Sequence, residues 1–249
     1  MALLAMSYRI GKSTVSGIIQ ETCEAIWEVL QPQVLEQPSQ QDWIKIEDEF
    51  FKRWNFPHCI GAIDGKHVVI QAPPHAGSTF YNFKGQHSIV LLAIVSASYK
   101  FLMVDIGAQG RHNDGRIFKE SNMGQRFQNK QMDLPHPCQL SNFRNIPIPY
   151  MLVVNIWRIY RKPINASLKT TESIIKATVC LHNFLLSTRQ YGYMTDDICQ
   201  NVIHENTAAI RDVSNIRSNT HSQLAASIRN EFCEYFVQEG SVPWQEMYI

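Results

Sequence analysis

Two acidic side chains in this 249-residue chain stand where chemistry can happen. Asp64 lies in Gly61-Ala62-Ile63-Asp64-Gly65-Lys66-His67, a carboxylate at the expected end of an apolar strand, followed by a glycine that lets other groups come close. Asp114 closes Asp105-Ile106-Gly107-Ala108-Gln109-Gly110-Arg111-His112-Asn113-Asp114-Gly115, at the predicted start of a helix. Carboxylates held at the ends of sheet strands suit Mg²⁺ or Mn²⁺, hard cations that take oxygen ligands. The same residues also have a purely structural reading, Asp114 as a helix cap and Asp64 as a turn former. His67 and His112 lie near the two acids in sequence, within reach of a metal or a phosphate. Gly11-Lys12-Ser13-Thr14 ends like a phosphate-binding loop, but that motif needs glycine five positions before Gly11, where Met6 stands.

The elements that must hold these residues follow from the hydrophobic period. Ser13 and Thr14 are candidate caps for a helix with Ile18, Ile19, Cys23, Ile26, Trp27 and Leu30 at helical spacing, ended by Gln31-Pro32. Asp42 to Trp54 forms a second amphipathic helix, with Trp43, Ile46, Phe50, Phe51 and Trp54 on one side and Asn55-Phe56-Pro57 as its stop. The period then shortens. Cys59–Ile63, Val68–Ile70, Ser88–Ala97, Phe101–Ile106 and Tyr150–Val154 read as buried strands, with Tyr99-Lys100 as a tight link. Asp114 to Phe127 predicts one helix, followed by a loop containing Pro135, Pro137, Pro147 and Pro149. Helices return from Thr171, with Ile174, Ile175, Thr178, Val179, Leu181 and His182 on one face, and again from Ser222 to Phe236.

Composition, with 45% hydrophobic and 18% charged residues, fits one large globular domain or one domain plus a small helical appendage. No apolar run reaches the roughly 18 residues that span a bilayer, so no membrane role is expected. Six scattered cysteines without a CxxC pair predict reduced, mostly buried thiols inside the cell. The net charge of +1 hides an asymmetry, because residues 100–170 alone carry +7. Such a segment suits a surface that faces phosphates, or an ordinary solvated face.

The runs WNFPHCIGAIDGKHVVIQAPPHAGSTFYNFKGQHSIVLLAIVSASYKFLMVDIGAQGRHNDGRIFKES and WRIYRKPINASLKTTESIIKATVCLHNFLL resemble the nuclease domain of the PIF/Harbinger transposases and their derived nucleases. MSYRIGKSTVSGII is similar to the end of that family's helix-turn-helix region. The resemblance implies an RNase H-like α/β fold, a mixed sheet with flanking helices, preceded by a truncated helix-turn-helix-like segment. The expected divisions are 1–55 for that segment, 56–186 for the nuclease domain and 187–249 for a polar helical tail. It also implies a DDE endonuclease, with Asp64 and Asp114 as catalytic residues and metal ligands, Mg²⁺ or Mn²⁺ as cofactor, and DNA as substrate. A separate Myb-like DNA-binding partner and residence in the nucleus, or also the cytoplasm, follow from the same resemblance. Arg111, Arg116, Arg158, Arg161 and Lys162 are the candidates for phosphate contacts. Phe80, Tyr81 and Phe83 are expected to pack rather than stack on bases. His182 is expected to be a hydrogen-bonding core residue.

The chain also departs from the family pattern. After Val154 the family has a glycine–aspartate pair, and later a helical glutamate; here Val154 runs directly into Asn155-Ile156-Trp157-Arg158, and no Asp or Glu occurs from Leu134 to Thr171. Glu172 matches a position beyond the missing glutamate. Two-metal cleavage holds ions about 3.5–4 Å apart, and that needs more negative charge than two carboxylates provide. Impaired cleavage is therefore expected, with a non-catalytic DNA- or protein-binding module as the alternative.

Overall fold

Every residue from Ser88 to Val95 is buried, and the rest of the sheet is assembled around this strand. The computed structural model describes residues 2–140, 145–154, 164, 166–189 and 223–242. Its described helices are α1 (Ala2–Tyr8), α2 (Lys12–Val34), α3 (Gln40–Trp54), α4 (Asp114–Glu120), α5 (Asn122–Gln128), α6 (Leu168–Arg189) and α7 (Gln223–Val237). The strands are β1 (Cys59–Val69), β2 (Ser88–Val95), β3 (Phe101–Gln109), β4 (Cys138–Gln139), β5 (Pro147–Ile148) and β6 (Met151–Val154).

The main sheet has the order β3-β2-β1-β6. β1 is antiparallel to β2, β2 to β3, and β6 runs parallel to β1. This mixed sheet, with helices against it, is an RNase H-like α/β fold. β2 is apolar from Ile89 to Val95 and is covered on both faces. Ile89, Leu91, Ala93 and Val95 pack with Ile175 and Val179 of α6. Val90, Leu92 and Ile94 pack with Trp43 of α3, Ile117 of α4 and Met123 of α5. Full burial of each such aliphatic side chain is worth about 1.5–3 kcal/mol. The protein divides into two compact units. One comprises Met1–His136 and Pro149–Ser187 and contains the main sheet; the other comprises Pro137–Ile148 and Thr188–Ile249 and contains the β4–β5 pair and α7.

The sheet and most helices lie where the sequence pattern puts them, with instructive differences. Cys59–Ile63 and Val68–Ile70 are parts of one long strand, because β1 pairs with the buried β2 continuously from Ala62↔Val95 to Val69↔Ser88. That ladder carries the backbone through Gly65 and the charged residues between. The β2–β3 link is tight as expected, with Tyr99 at φ +64°. α2 runs past Pro32 to Val34, since a proline in the last turn forfeits only one hydrogen bond, and its cap is Gly11 rather than Ser13 or Thr14. The predicted helix from Asp114 to Phe127 breaks at Ser121, which ends α4 and caps α5 by accepting from Gly124 N–H. On α3, Trp43 and Phe50 are buried, whereas Phe51 and Trp54 are 43% and 52% exposed. On α6 the buried line is Thr171, Ile175, Val179 and Asn183, not the one through Leu181 and His182. The proline-rich loop contains the short β4–β5 ladder.

Candidate functional site

The site forms where the start of α4 meets β1. Asp64 lies within β1, not at its end, because the strand continues to Val69. Along a strand, side chains alternate between faces. Asp64 therefore shares the parity of Ala62 and Val68, which pack on the α6 side, and Gly65 shares that of Ile63, on the α4 side. Asp114 reaches the same point from the other direction. It is the first residue of α4, behind an N-cap supplied by Asn113, whose side chain accepts from Arg116 N–H at 2.8 Å. The helix start thus leaves the Asp114 carboxylate unused for capping and lays it against the backbone of Gly65. A Cβ at position 65 would overlap that carboxylate. Gly65 is thus needed for close approach, and it brings Asp114 beside the residue that follows Asp64.

Asp114 is exposed as a residue, yet its carboxylate is partly desolvated by this seat. The desolvation holds its pKa above the ordinary carboxylate value, with the nearby His67 pulling the other way. The carboxylate forms no hydrogen bond or ion pair with any described residue. Asp105, on the same face two strands away, is likewise raised by burial. His67 lies two residues beyond Gly65 on the α4 face. Burial pushes its pKa down, against the pull of Asp114 and in the same direction as Lys84 and Lys66. Its Nδ1 lies 2.9 Å from Ser88 Oγ. His112 is turned elsewhere: its Nε2 accepts from Arg111 Nε at 3.0 Å, and its Nδ1 is 3.9 Å from Glu120.

The other candidates are spread apart. Arg116 is tied to Glu120 at 2.8 Å across one helical turn, and Arg111 to His112. Arg158, Arg161 and Lys162 lie outside the described residues. Glu172 rests over β3 with Oε1 3.0 Å from where a Cβ on Gly107 would lie. That is two strands from β1, roughly 10 Å by sheet spacing alone. Phe80 packs against the core as expected, but Tyr81 and Phe83 are 51% and 82% exposed. His182 bonds Tyr99 C=O through Nε2 at 3.0 Å, while Asn183, which drew no notice in the sequence, is the fully buried member of that pair.

Asp64 and Asp114 are the two carboxylates on offer to a hard cation at this point of β1, and strand parity sends them to opposite faces of the sheet. Among the described residues no group of three His, Cys, Asp or Glu side chains could hold a metal ion. Two carboxylates alone would leave an ion most of its waters and carry too little negative charge to hold a pair.

A strand-borne aspartate and an aspartate at a helix start seated on the next residue of β1 lie in the stretch that sequence comparison matches. Residues 63–143, which include both acids, match the family described as DDE superfamily endonuclease. Over that stretch the chain is similar to DDE superfamily endonucleases, and the relatives it matches include nuclease-like proteins. It is 27% identical over 120 residues to "Putative nuclease HARBI1" of Rattus norvegicus, covering 48% of this chain and 34% of that protein. It is 28% identical over 151 residues to "Protein ALP1-like" of Arabidopsis thaliana, covering 57% and 36%. The human protein of the first name is 25% identical over 120 residues, covering 48% and 34%. The chain thus spans about a third of the length of the curated relatives it matches. No solved structure matches it. No described helix is long and apolar enough to cross a membrane.

Proposed function

We propose that this protein engages DNA through an RNase H-like domain in which Asp64 and Asp114 hold a single hydrated Mg²⁺ or Mn²⁺, and that its phosphodiester cleavage is impaired. The observation that carries this reading is the seat of Asp114 on Gly65, immediately after Asp64. When bound, the ion would supply Lewis-acid stabilisation of phosphate oxygens. The chain's own contribution is to seat the Asp114 carboxylate, partly desolvated, against Gly65, the residue that follows Asp64. Impairment is supported by the absence of Asp and Glu from Leu134 to Thr171 and by the distance of Glu172 from β1. The proposed divisions are 1–55, 56–186 and 187–249, and a nuclear location and a Myb-like DNA-binding partner belong to the same proposal. A supercoiled-plasmid assay in Mg²⁺ and Mn²⁺ tests it. Little or no nicking, with metal-dependent thermal stabilisation lost in Asp64→Ala and Asp114→Ala, is expected. Robust turnover that disappears in Asp64→Ala would show that the remaining carboxylates suffice for cleavage.

A binding module without catalysis is the second reading, favoured by the +7 segment of residues 100–170 and by the exposed Phe83. It predicts duplex binding that weakens steeply with salt and is unchanged in Asp64→Ala.

A further inference from the structure

The imidazole of His67 is held by a hydrogen-bond chain whose direction is fixed at its far end. Asn82 Oδ1 accepts from the backbone N–H groups of Lys84 and Gln86, at 2.9 and 3.1 Å. Two backbone donors can only face an oxygen, so the amide orientation is set and Nδ2 is the other atom. That Nδ2 donates to Ser88 Oγ at 2.9 Å. Ser88 Oγ has one further partner, His67 Nδ1, also at 2.9 Å. Asn82 is 4% exposed and Ser88 0%, so solvent does not complete either group.

A serine hydroxyl has one proton to give. With Asn82 already donating to it, the Ser88 proton finds its acceptor at His67 Nδ1. If Nδ1 carried the ring proton instead, Ser88 would face two donors, and its own hydrogen would be buried without a partner, which folded proteins avoid. The proton of the neutral ring therefore sits on Nε2. Imidazole ligates a metal through a nitrogen lone pair, and Nε2–H has none to offer.

We propose that His67 is a fixed Nε2–H donor for a phosphodiester oxygen of DNA beside Asp114, and not a metal ligand. The ring shares its strand face with Gly65, where the Asp114 carboxylate rests. Phe83 stands edge-on to it at 5.7 Å, and the Lys84 ammonium lies 5.3 Å over the Phe83 ring. A half-buried donor beside an ammonium and an exposed aromatic suits an anionic oxygen on a nucleotide strand. The identity of the anion rests on the DNA-engaging function proposed above; the tautomer does not.

Nitrogen-15 NMR of the His67 ring in the full chain, at a pH where the ring is neutral and assigned by its loss in His67→Gln, tests both parts. The wild type is expected to show protonated Nε2 and unprotonated Nδ1. Asn82→Asp is nearly isosteric and keeps an acceptor for the two backbone N–H groups, but it presents Ser88 with an acceptor instead of a donor. The relay then reverses, and the ring proton moves to Nδ1. Ser88→Ala, checked for folding by circular dichroism, is expected to give a mixture of tautomers. Protonated Nδ1 in the wild type, or a tautomer indifferent to both substitutions, overturns the assignment. A short DNA duplex added without metal is expected to shift the Nε2 and Hε2 resonances, and Mg²⁺ alone to leave them in place. A shift caused by Mg²⁺ alone, or duplex binding that leaves the ring unmoved, refutes the phosphate contact. No duplex binding at all refutes the DNA reading and the anion with it, while the tautomer is judged on its own spectra.

Discussion

The Asp114 carboxylate occupies the volume in which a side chain at Gly65 would sit, so a helix start is locked to the middle of a strand 49 positions earlier. The neighbour on the far side of Asp114 makes a control, because a Cβ at Gly115 would meet nothing closer than Asn113 Oδ1 at 3.7 Å. Gly65→Ala must push the loop before α4 outward, an overpacking that costs about 1–3 kcal/mol. Gly115→Ala is expected to be neutral, or to stabilise by about 0.5–1 kcal/mol as a helical glycine replaced. Urea unfolding of both variants gives the stabilities. Thermal shift with Mn²⁺ gives the second readout, which Gly65→Ala alone is expected to lose.

Asn183 joins α6 to two other elements without being charged. Its Oδ1 accepts from Phe101 N–H at 2.8 Å, and its Nδ2 donates to Phe101 C=O at 2.7 Å and to Val34 C=O at 2.8 Å. Asn183→Ala removes these three bonds to buried backbone groups, and each buried group that loses its bond costs about 1–3 kcal/mol. A loss of stability of about 3 kcal/mol in urea unfolding is expected, with the midpoint rather than the slope changing. A loss below about 0.5 kcal/mol, the level of an ordinary surface substitution, would show that the bonds are replaced.

Much of this architecture was legible because β2 is apolar from Ile89 to Val95 and its neighbours carry branched side chains bounded by Gly and Asn. Asp64 and Asp114 stood out because acids beside glycines interrupt that pattern. What the sequence hid was long-range pairing. β1 reads as two strands until its ladder to Ser88–Val95 is known, and Ser121 reads as helix interior until its hydroxyl is seen bonding Gly124 N–H. The buried line of α6 was misplaced because Asn183 is polar and fully buried, and its partners at Phe101 and Val34 are far away in sequence. The relay through Asn82 and Ser88 was hidden for the same reason, since nothing in spacing points a loop amide at a strand serine.

The thiols were expected to be mostly buried, and the structure divides them instead. Cys59 and Cys180 are buried, and burial pushes both thiols up to about 11, whereas Cys138 and Cys233 are exposed. Only the thiolate is nucleophilic. In native protein, iodoacetamide is expected to label Cys138 and Cys233 within minutes, and Cys59 and Cys180 only at the rate of global unfolding. Mass spectrometry of a labelling time course reads this directly. Early modification of Cys59 would mean that β1 opens locally.

Asp42 makes acid stability a test of one helix cap. Its carboxylate accepts from the Ser39 hydroxyl at 2.7 Å and from Ser39 N–H at 3.2 Å, with Lys45 Nζ at 3.0 Å. The Ser39 hydroxyl first, then Lys45 and the Ser39 backbone, hold its pKa down at about 2. An unfolded aspartate titrates near about 3.9. The folded state therefore binds the proton less readily than the unfolded one, and stability rises with pH across this interval. The contribution is complete above about pH 4 and is lost as pH falls through about 2. Asp42→Asn is expected to be less stable than wild type at neutral pH, with the gap closing between these two values. Ser39→Ala should show the same convergence, because the dominant bond comes from its hydroxyl. A gap that stays constant down to the acid limit would place the effect in helix propensity rather than in the carboxylate.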